Sequence, residues 1–516
     1  MTRTHRFLTG FMTGYAHLVL ATIAGLWLTP FFLRELGQST YGLWLVGTQI
    51  IAYLLLMDLG IVALLPRETA YITGRTNSHD APELRELLEK TLTLACVQTP
   101  VVLVAALMAL WWLPASWAAL RVPLAVVLVV FVLTFPLRVF QAALTGLQDL
   151  AFVARIQLIA WLVGTAVNVL LVLQGFTLSA LAAGWCLTQA TIITGCGLRL
   201  ATTFPGAMPR RVAPRDVIGA RDYVSRSVWV SVSQIAQVLL NGTDVMVIGA
   251  LLGPAAVVPY ACTGKLVSVL ANQPQAILQS AAPALSELRT TADRARLFQV
   301  SAALAQAALA VSGLLACIVL AVNGGFVRWW VGPDQFGGVP LTLLLLAAMI
   351  IRHFNTTNVY ALFCFGHEKR LALTGLADGA ATLAVSAALV STFGLAGAPL
   401  GAIAGVLLVS APLNLTALSR ETGAPRWQIV STLGPWLWRF AMVAAIAGVA
   451  GASVRPSSFP WLAVLGGSAA LLYSLAVVAP LLRSPAGVYL RPLNGRVTGV
   501  AAGLTARNRD NVSATP

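Results

Sequence analysis

The sequence predicts an all-α integral membrane protein with about 14 transmembrane helices, in two six-helix lobes related by a parallel repeat plus two C-terminal helices. Three observations carry this. Of 516 residues, 58% are apolar and only 10% charged, where a soluble domain carries about 25% charged residues. Apolar stretches of about 20 residues recur from end to end with short connections. The basic residues that give the net charge of +15 fall on one side of the resulting topology, so the charge reads as the positive-inside rule and not as a nucleic-acid footprint.

The spans are expected over 11–32, 41–65, 91–112, 122–145, 156–173, 178–200, 227–252, 255–281, 299–322, 339–364, 371–393, 396–418, 432–452 and 459–482. The first follows two arginines as a signal peptide would, but its apolar run is too long for a cleaved leader and reads as a span. With a cytoplasmic N-terminus, the outside loops keep only Arg34, Arg121, Arg328 and Arg455, while the segments 66–90, 201–226 and 483–516 on the inside are rich in Arg. Both termini are therefore expected in the cytoplasm. The segment 80–90 has an amphipathic pattern and predicts a helix on the cytoplasmic surface. Trp111, Trp112, Trp117, Trp329 and Trp330 fall at outer span ends, where indole rings anchor at the interface. No outer loop is long enough to house an enzyme. The six cysteines lie in apolar runs without CxxC spacing or a histidine cluster, so neither disulfides nor a metal or other cofactor is signalled.

A repeat organises the chain. Residues 33–47 (LRELGQSTYGLWLVG) and 250–265 (ALLGPAAVVPYACTGK) each contain a Leu-Gly turn, small or polar residues, and a Tyr that restarts the next helix. Six spans separate them, and an even number preserves orientation, so the repeat is parallel. The expected division is 1–222 for the first lobe and its following loop, 223–430 for the second, and 431–516 for two added spans and a tail.

Ionisable residues inside spans are costly and face a cavity or a partner. They are His17, Asp58, Arg138, Asp244, Lys265, Arg352, His353 and Asp378. Estimated depth pairs His17 with Asp58 and Asp244 with Lys265. Arg138 and Arg352 are expected to lack a carboxylate at their depth in a neighbouring span, and Arg352 is followed by His353, Asn355, Thr356 and Asn358. A guanidinium so placed suits phosphate oxygens, because its planar fork binds them bidentately. Gly264-Lys265 is not a P-loop, since Leu266 follows. The Gly394, Gly397, Gly401 and Gly405 series reads as close helix packing.

The stretches 28–61 (LTPFFLRELGQSTYGLWLVGTQIIAYLLLMDLGI), 241–266 (NGTDVMVIGALLGPAAVVPYACTGKL), 326–336 (FVRWWVGPDQF) and 363–373 (FCFGHEKRLAL) resemble the bacterial polysaccharide and O-antigen flippases of the multidrug/oligosaccharidyl-lipid/polysaccharide superfamily. The resemblance implies a V-shaped bundle of twelve helices with two appended. It implies a transporter and not an enzyme, flipping undecaprenyl-pyrophosphate-linked oligosaccharide across the bacterial inner membrane by alternating access; the sequence leaves open whether a polysaccharide polymerase or ligase joins it in a complex. In that superfamily, spans one, two, seven and eight border the cavity, which would place His17, Asp58, Asn241, Asp244 and Lys265 on or near it. Arg352, Arg138, Lys265, His17, His353 and Asn241 are thus the expected substrate-binding residues, and Asp58 and Asp244 the gating or ion-pair residues. A lipid II flippase and a cation-coupled multidrug exporter of the same fold are the alternatives, the second disfavoured because span one has no acidic residue.

The topology is checked by fusing alkaline phosphatase and a cytoplasmic fluorescent protein in turn at the 66–90 loop, the 323–340 loop and the C-terminus. Phosphatase activity is expected at 323–340 and fluorescence at the other two; phosphatase activity at the C-terminus contradicts the topology.

Overall fold

The computed structural model describes residues 3–58, 60–76, 82–211, 221–275, 277–278, 281, 285, 294–453 and 458–483, with the side chains of 3–18, 221–227 and 241 outside the description. The secondary structure of the described residues is helical throughout. This is a multi-pass membrane protein. Among the described residues, eleven helices are long and apolar enough to cross a membrane, or thirteen if two sharply bent pairs each count as one span. One of the eleven, Glu368–Thr422, runs 55 residues and doubles back at Gly394, whose φ of 59° is open to glycine at little cost. On the return, Ser386 donates to the Ala398 carbonyl at 3.2 Å.

The contacts divide the chain into two units, Met1–Pro259 with Val390–Gly394, and Tyr260–Leu389 with Leu395–Pro516. The first holds α1 (Arg3–Leu36), α2 (Gln38–Leu54), α3 (Ile61–Thr76), α4 (Pro82–Trp111), α5 (Ala118–Thr134), α6 (Arg138–Gly146), α7 (Leu150–Leu173), α8 (Leu178–Thr203), α9 (Arg221–Leu251) and most of α10 (Pro254–Thr263). Both turns of the repeat are in it. Gly37 and Gly253 take φ of 78° and 90°, the left-handed geometry that a Leu-Gly turn signals. The Gln38 amide donates to the Ala255 carbonyl at 2.8 Å, and Gly42 lies against the Pro254 carbonyl, where a β-carbon would collide. Helices in lipid gain little from hydrophobic burial against one another, so such backbone approaches replace it.

Two expectations are corrected here. The segment 80–90 is no separate surface helix. From Pro82 it forms the first turns of α4, with Leu84 and Leu88 fully buried in the core of the unit. Arg85 donates to the Gly206 carbonyl at 2.9 Å and Glu89 accepts from the Arg210 amide at 3.0 Å, so its charges dock a loop. Trp117 is buried, because the short turn Ala115–Trp117 folds it inward, while Trp111 and Trp112 are exposed as interfacial anchors would be.

The second unit holds α11 (Lys265–Leu270), α12 (Arg294–Val331), α13 (Val339–Cys364), most of α14 (Glu368–Phe393), α15 (Gly397–Gly405), α16 (Ala411–Thr422), α17 (Arg426–Ser431), α18 (Gly434–Ser453) and α19 (Phe459–Arg483). The appended pair α18 and α19 packs along α12. Tyr473 joins them, accepting from the Trp436 indole at 2.8 Å and donating to the Ala310 carbonyl at 2.8 Å.

Candidate functional site

Several spans that the sequence reads as continuous are broken, and Asp58, Arg138, Asn241 and Lys265 lie at the breaks, while Arg352 and His353 stand within an unbroken helix. The second span stops at Leu54, tightens through Leu55–Asp58 and restarts at Ile61. Gly60 takes φ 69° and donates its amide to Asp58 Oδ1 at 2.9 Å, so the carboxylate satisfies backbone that the break exposes. The fourth span breaks at Pro136, whose ring cannot continue the helical ladder, and Arg138 opens the next helix. The eighth bends by 55° between Thr263 and Lys265, and the seventh by 50° at Asn241. At the eighth, Asn323 donates to the freed Thr263 carbonyl and to the Thr342 hydroxyl, each at 3.0 Å.

In the first unit, Asp58 and Arg138 meet. Their Oδ2 and Nη1 atoms are 3.9 Å apart, with the carboxylate buried and the guanidinium 28% exposed. Arg138 also stands over the Phe135 ring at 5.9 Å. The carboxylate expected opposite His17 therefore belongs to Arg138, and the His17 side chain lies outside the described residues, as does that of Asn241.

The second unit repeats the arrangement with different elements. Arg352 Nη1 on α13 lies 3.9 Å from Asp378 Oδ2 on α14, with side chains 22% and 2% exposed. Two hydroxyls fix Asp378: Ser410 donates to Oδ2 at 2.6 Å and Thr382 to Oδ1 at 3.2 Å. Asn355 donates to Ser410 Oγ and accepts from Asn414, each at 3.0 Å. The donors thus run in one direction, from Asn414 through Asn355 and Ser410 to the carboxylate, an order that strengthens each bond. Ser410 ends a π-helical turn, Val406–Ser410, set into the twelfth span, a distortion that often marks functional sites. Gly405, just before it, lies against Asp378 and Thr382, where a β-carbon would collide.

Arg138 and Arg352, read from sequence as lacking acids, each have one. For Arg352 the depth was calculable: it lies about 18 Å of helix from Cys364, and Asp378 about 15 Å from Glu368, so the hairpin sets them level. For Arg138, only the fold brings the second and fourth spans together at their breaks. At this distance the attraction is about 4 kcal/mol at an effective dielectric constant near ~20. His353 is buried and lies 2.8 Å from the Ser312 hydroxyl of α12. Asp244 on α9 is half-buried in the first unit, and Lys265, also half-buried, heads α11 in the second. Sequence reasoning missed Ser410, Thr382, Asn355 and Asn414 as a network, because a π-turn has no pattern of its own.

The architecture can be compared with known proteins. Residues 97–322 match the polysaccharide biosynthesis protein family. A lipid II flippase, MurJ, in an inward closed conformation superposes with a TM-score of 0.61 at 9% identity, covering 93% of this chain and 99% of that one. An inward-facing multidrug resistance MATE family transporter of the MOP superfamily superposes at 0.54 and 14% identity, covering 82% and 100%. A MATE protein in complex with MaL6 gives 0.51 at 12% identity, covering 82% and 98%. No curated protein matches the sequence. The fold is that of the MOP-superfamily transporters.

The donor chain predicts an order of stabilities. Asn355→Ala strands groups on both its sides and should cost about 1–3 kcal/mol. Asn414→Ala, at the end of the chain, should cost less. Thermal unfolding of the purified variants checks this, and a larger loss for Asn414→Ala contradicts the chain.

Proposed function

We propose that the protein is a flippase that moves undecaprenyl-pyrophosphate-linked oligosaccharide repeat units across the bacterial cytoplasmic membrane by alternating access, for assembly of a surface polysaccharide. The observation that carries this reading is the match of residues 97–322 to a polysaccharide biosynthesis family on a chain with the fold of MOP transporters. Arg352, Arg138 and Lys265 supply positive charge for the pyrophosphate, with His17, His353 and Asn241 as further polar contacts; Asp58 and Asp244 act in gating or ion pairing. Both termini face the cytoplasm. A polysaccharide polymerase or ligase receives the product.

The chemistry is consistent with a transporter's needs. A pyrophosphate head group must leave water, and an arginine fork returns the hydrogen bonds it loses. It must also depart on the other side, so the fork cannot be left to bind with its full strength. A second reading, a lipid II flippase, is favoured by the superposition on MurJ over 93% of this chain, and it asks the same of the arginines.

Deleting the gene should leave lipid-linked repeat units in the cytoplasmic leaflet and remove the surface polysaccharide. Absence of lipid-linked repeat units, or hydrolysis of sugars by the purified protein, contradicts the proposal; accumulation of lipid II instead favours the second reading. Complementation with Arg352→Lys should restore normal protein abundance, because the charge opposite Asp378 is kept. Transport should nevertheless fall about tenfold, the scale of one charge-assisted hydrogen bond. Full transport by Arg352→Lys and by Arg352→Ala at normal abundance would remove Arg352 from the binding site.

A further inference from the structure

We infer that the seam where the appended helices α18 and α19 meet α12 carries a site for the phosphate group of a monoanionic phospholipid, built from Arg439 and separate from the residues assigned above to the transported lipid. Both appended helices are long and apolar enough to cross a membrane, and a cavity of about 50 Å³ opens where α18 begins and α19 ends. A water needs roughly 10–15 Å³ of such space, so the cavity has room for several waters or for one phosphate group. The ends of spans lie at the level of the lipid head groups. A basic cavity between helices at that level is suited to their phosphates.

The walls suit an anion. Trp436, Val477 and Pro480 make them largely apolar, and Arg439 supplies the one charge among the lining residues. The carbonyls of Thr432 and Pro435, which also line the cavity, would repel a phosphate, but each is already taken. Gln306, itself buried, donates Nε2 to Thr432 at 3.0 Å, and Arg439 donates Nη1 to Pro435, one helical turn before it. A second contact fixes the guanidinium, which stands over the exposed Trp438 ring at 4.4 Å. Held by one nitrogen and one face, Arg439 keeps Nε and Nη2 for a ligand, and among the described residues no carboxylate pairs with it. Arg138 and Arg352, by contrast, each stand beside an aspartate. The planar fork matches two oxygens of one phosphate. Next in sequence to the lining residues, Leu437 and Val478 are exposed and apolar, a surface for acyl chains. A lipid gains from both the fork and that surface, whereas a free phosphate ion gains from the fork alone. A zwitterionic head group brings an ammonium for which the lining residues offer no carboxylate.

The test uses the purified full chain in detergent, stripped of lipid, with phosphatidylglycerol as the probe and phosphatidylcholine and inorganic phosphate as comparisons. Native mass spectrometry reads binding, and each protein's melting temperature is compared with its own lipid-free value. The wild type should bind phosphatidylglycerol saturably, melt higher with it, and respond far less to the other two. Arg439→Gln, which keeps the stem without the charge, should bind phosphatidylglycerol about tenfold more weakly, and Arg439→Lys should fall between. Val477→Phe fills the cavity with the charge unchanged and should lose binding to a similar extent, so either variant suffices if the other does not fold. Arg426→Ala removes an exposed charge from α17, the helix before α18, and should bind as the wild type does, which separates a site from diffuse attraction of basic residues to anionic lipid. Wild-type binding by Arg439→Gln or by Val477→Phe, an equal loss in Arg426→Ala, or an equal response of the wild type to phosphatidylcholine or inorganic phosphate overturns the proposal. Each of these outcomes leaves the flippase reading standing, since transport decides that.

Discussion

A charge inside a helix bundle that faces hydrocarbon has to be compensated within a few ångströms, and the interior of this protein is arranged around that requirement. Arg352 with Asp378, and Arg138 with Asp58, each stand at 3.9 Å. Leaving one member of such a pair alone costs several kcal/mol, so the elements that carry them cannot move apart freely. The π-turn before Ala411, the close approach at Gly405 and the breaks at Asp58 and Pro136 all serve to bring these groups together.

Broken helices carry a second cost, because carbonyls and amides released from the ladder have no water to meet. This chain answers with side chains. The Asp58 carboxylate accepts from Gly60, and Asn323 donates to the carbonyl of Thr263. The same residues are thus part of the backbone's hydrogen bonding and part of the polar interior. That dual use explains why Asp58 lies at a discontinuity, whereas Arg352 and His353 stand within the continuous helix α13.

The fold class was legible because composition and span length are one-dimensional signals. The Leu-Gly turns at Gly37 and Gly253 were legible because a left-handed residue between two apolar runs needs glycine. The intramembrane charges were legible as a list, but their partners were not all so. Asp378 could be matched to Arg352 by counting along one hairpin; Asp58 and Arg138 could not be matched, since they meet through two breaks that apolar runs conceal. The network of Ser410, Asn355 and Asn414 was invisible because each alone is an unremarkable polar residue in a span. The 80–90 segment misled for a related reason: an amphipathic pattern says that one face is buried, not whether the helix continues into the membrane.

The most direct test of the charge-compensation account compares Arg352→Leu, Asp378→Leu and the double variant for thermal stability and for transport in complementing cells. Each single change should destabilise by about 3 kcal/mol, because it leaves a buried charge alone, and the double variant should regain most of that stability, since an apolar pair replaces an ionic one at little cost. Transport should be absent in the double variant despite its recovered stability. Additive losses in the double variant, or a single Arg352→Leu as stable as the wild type, would contradict the account; transport by the stable double variant would show that the pair serves packing alone.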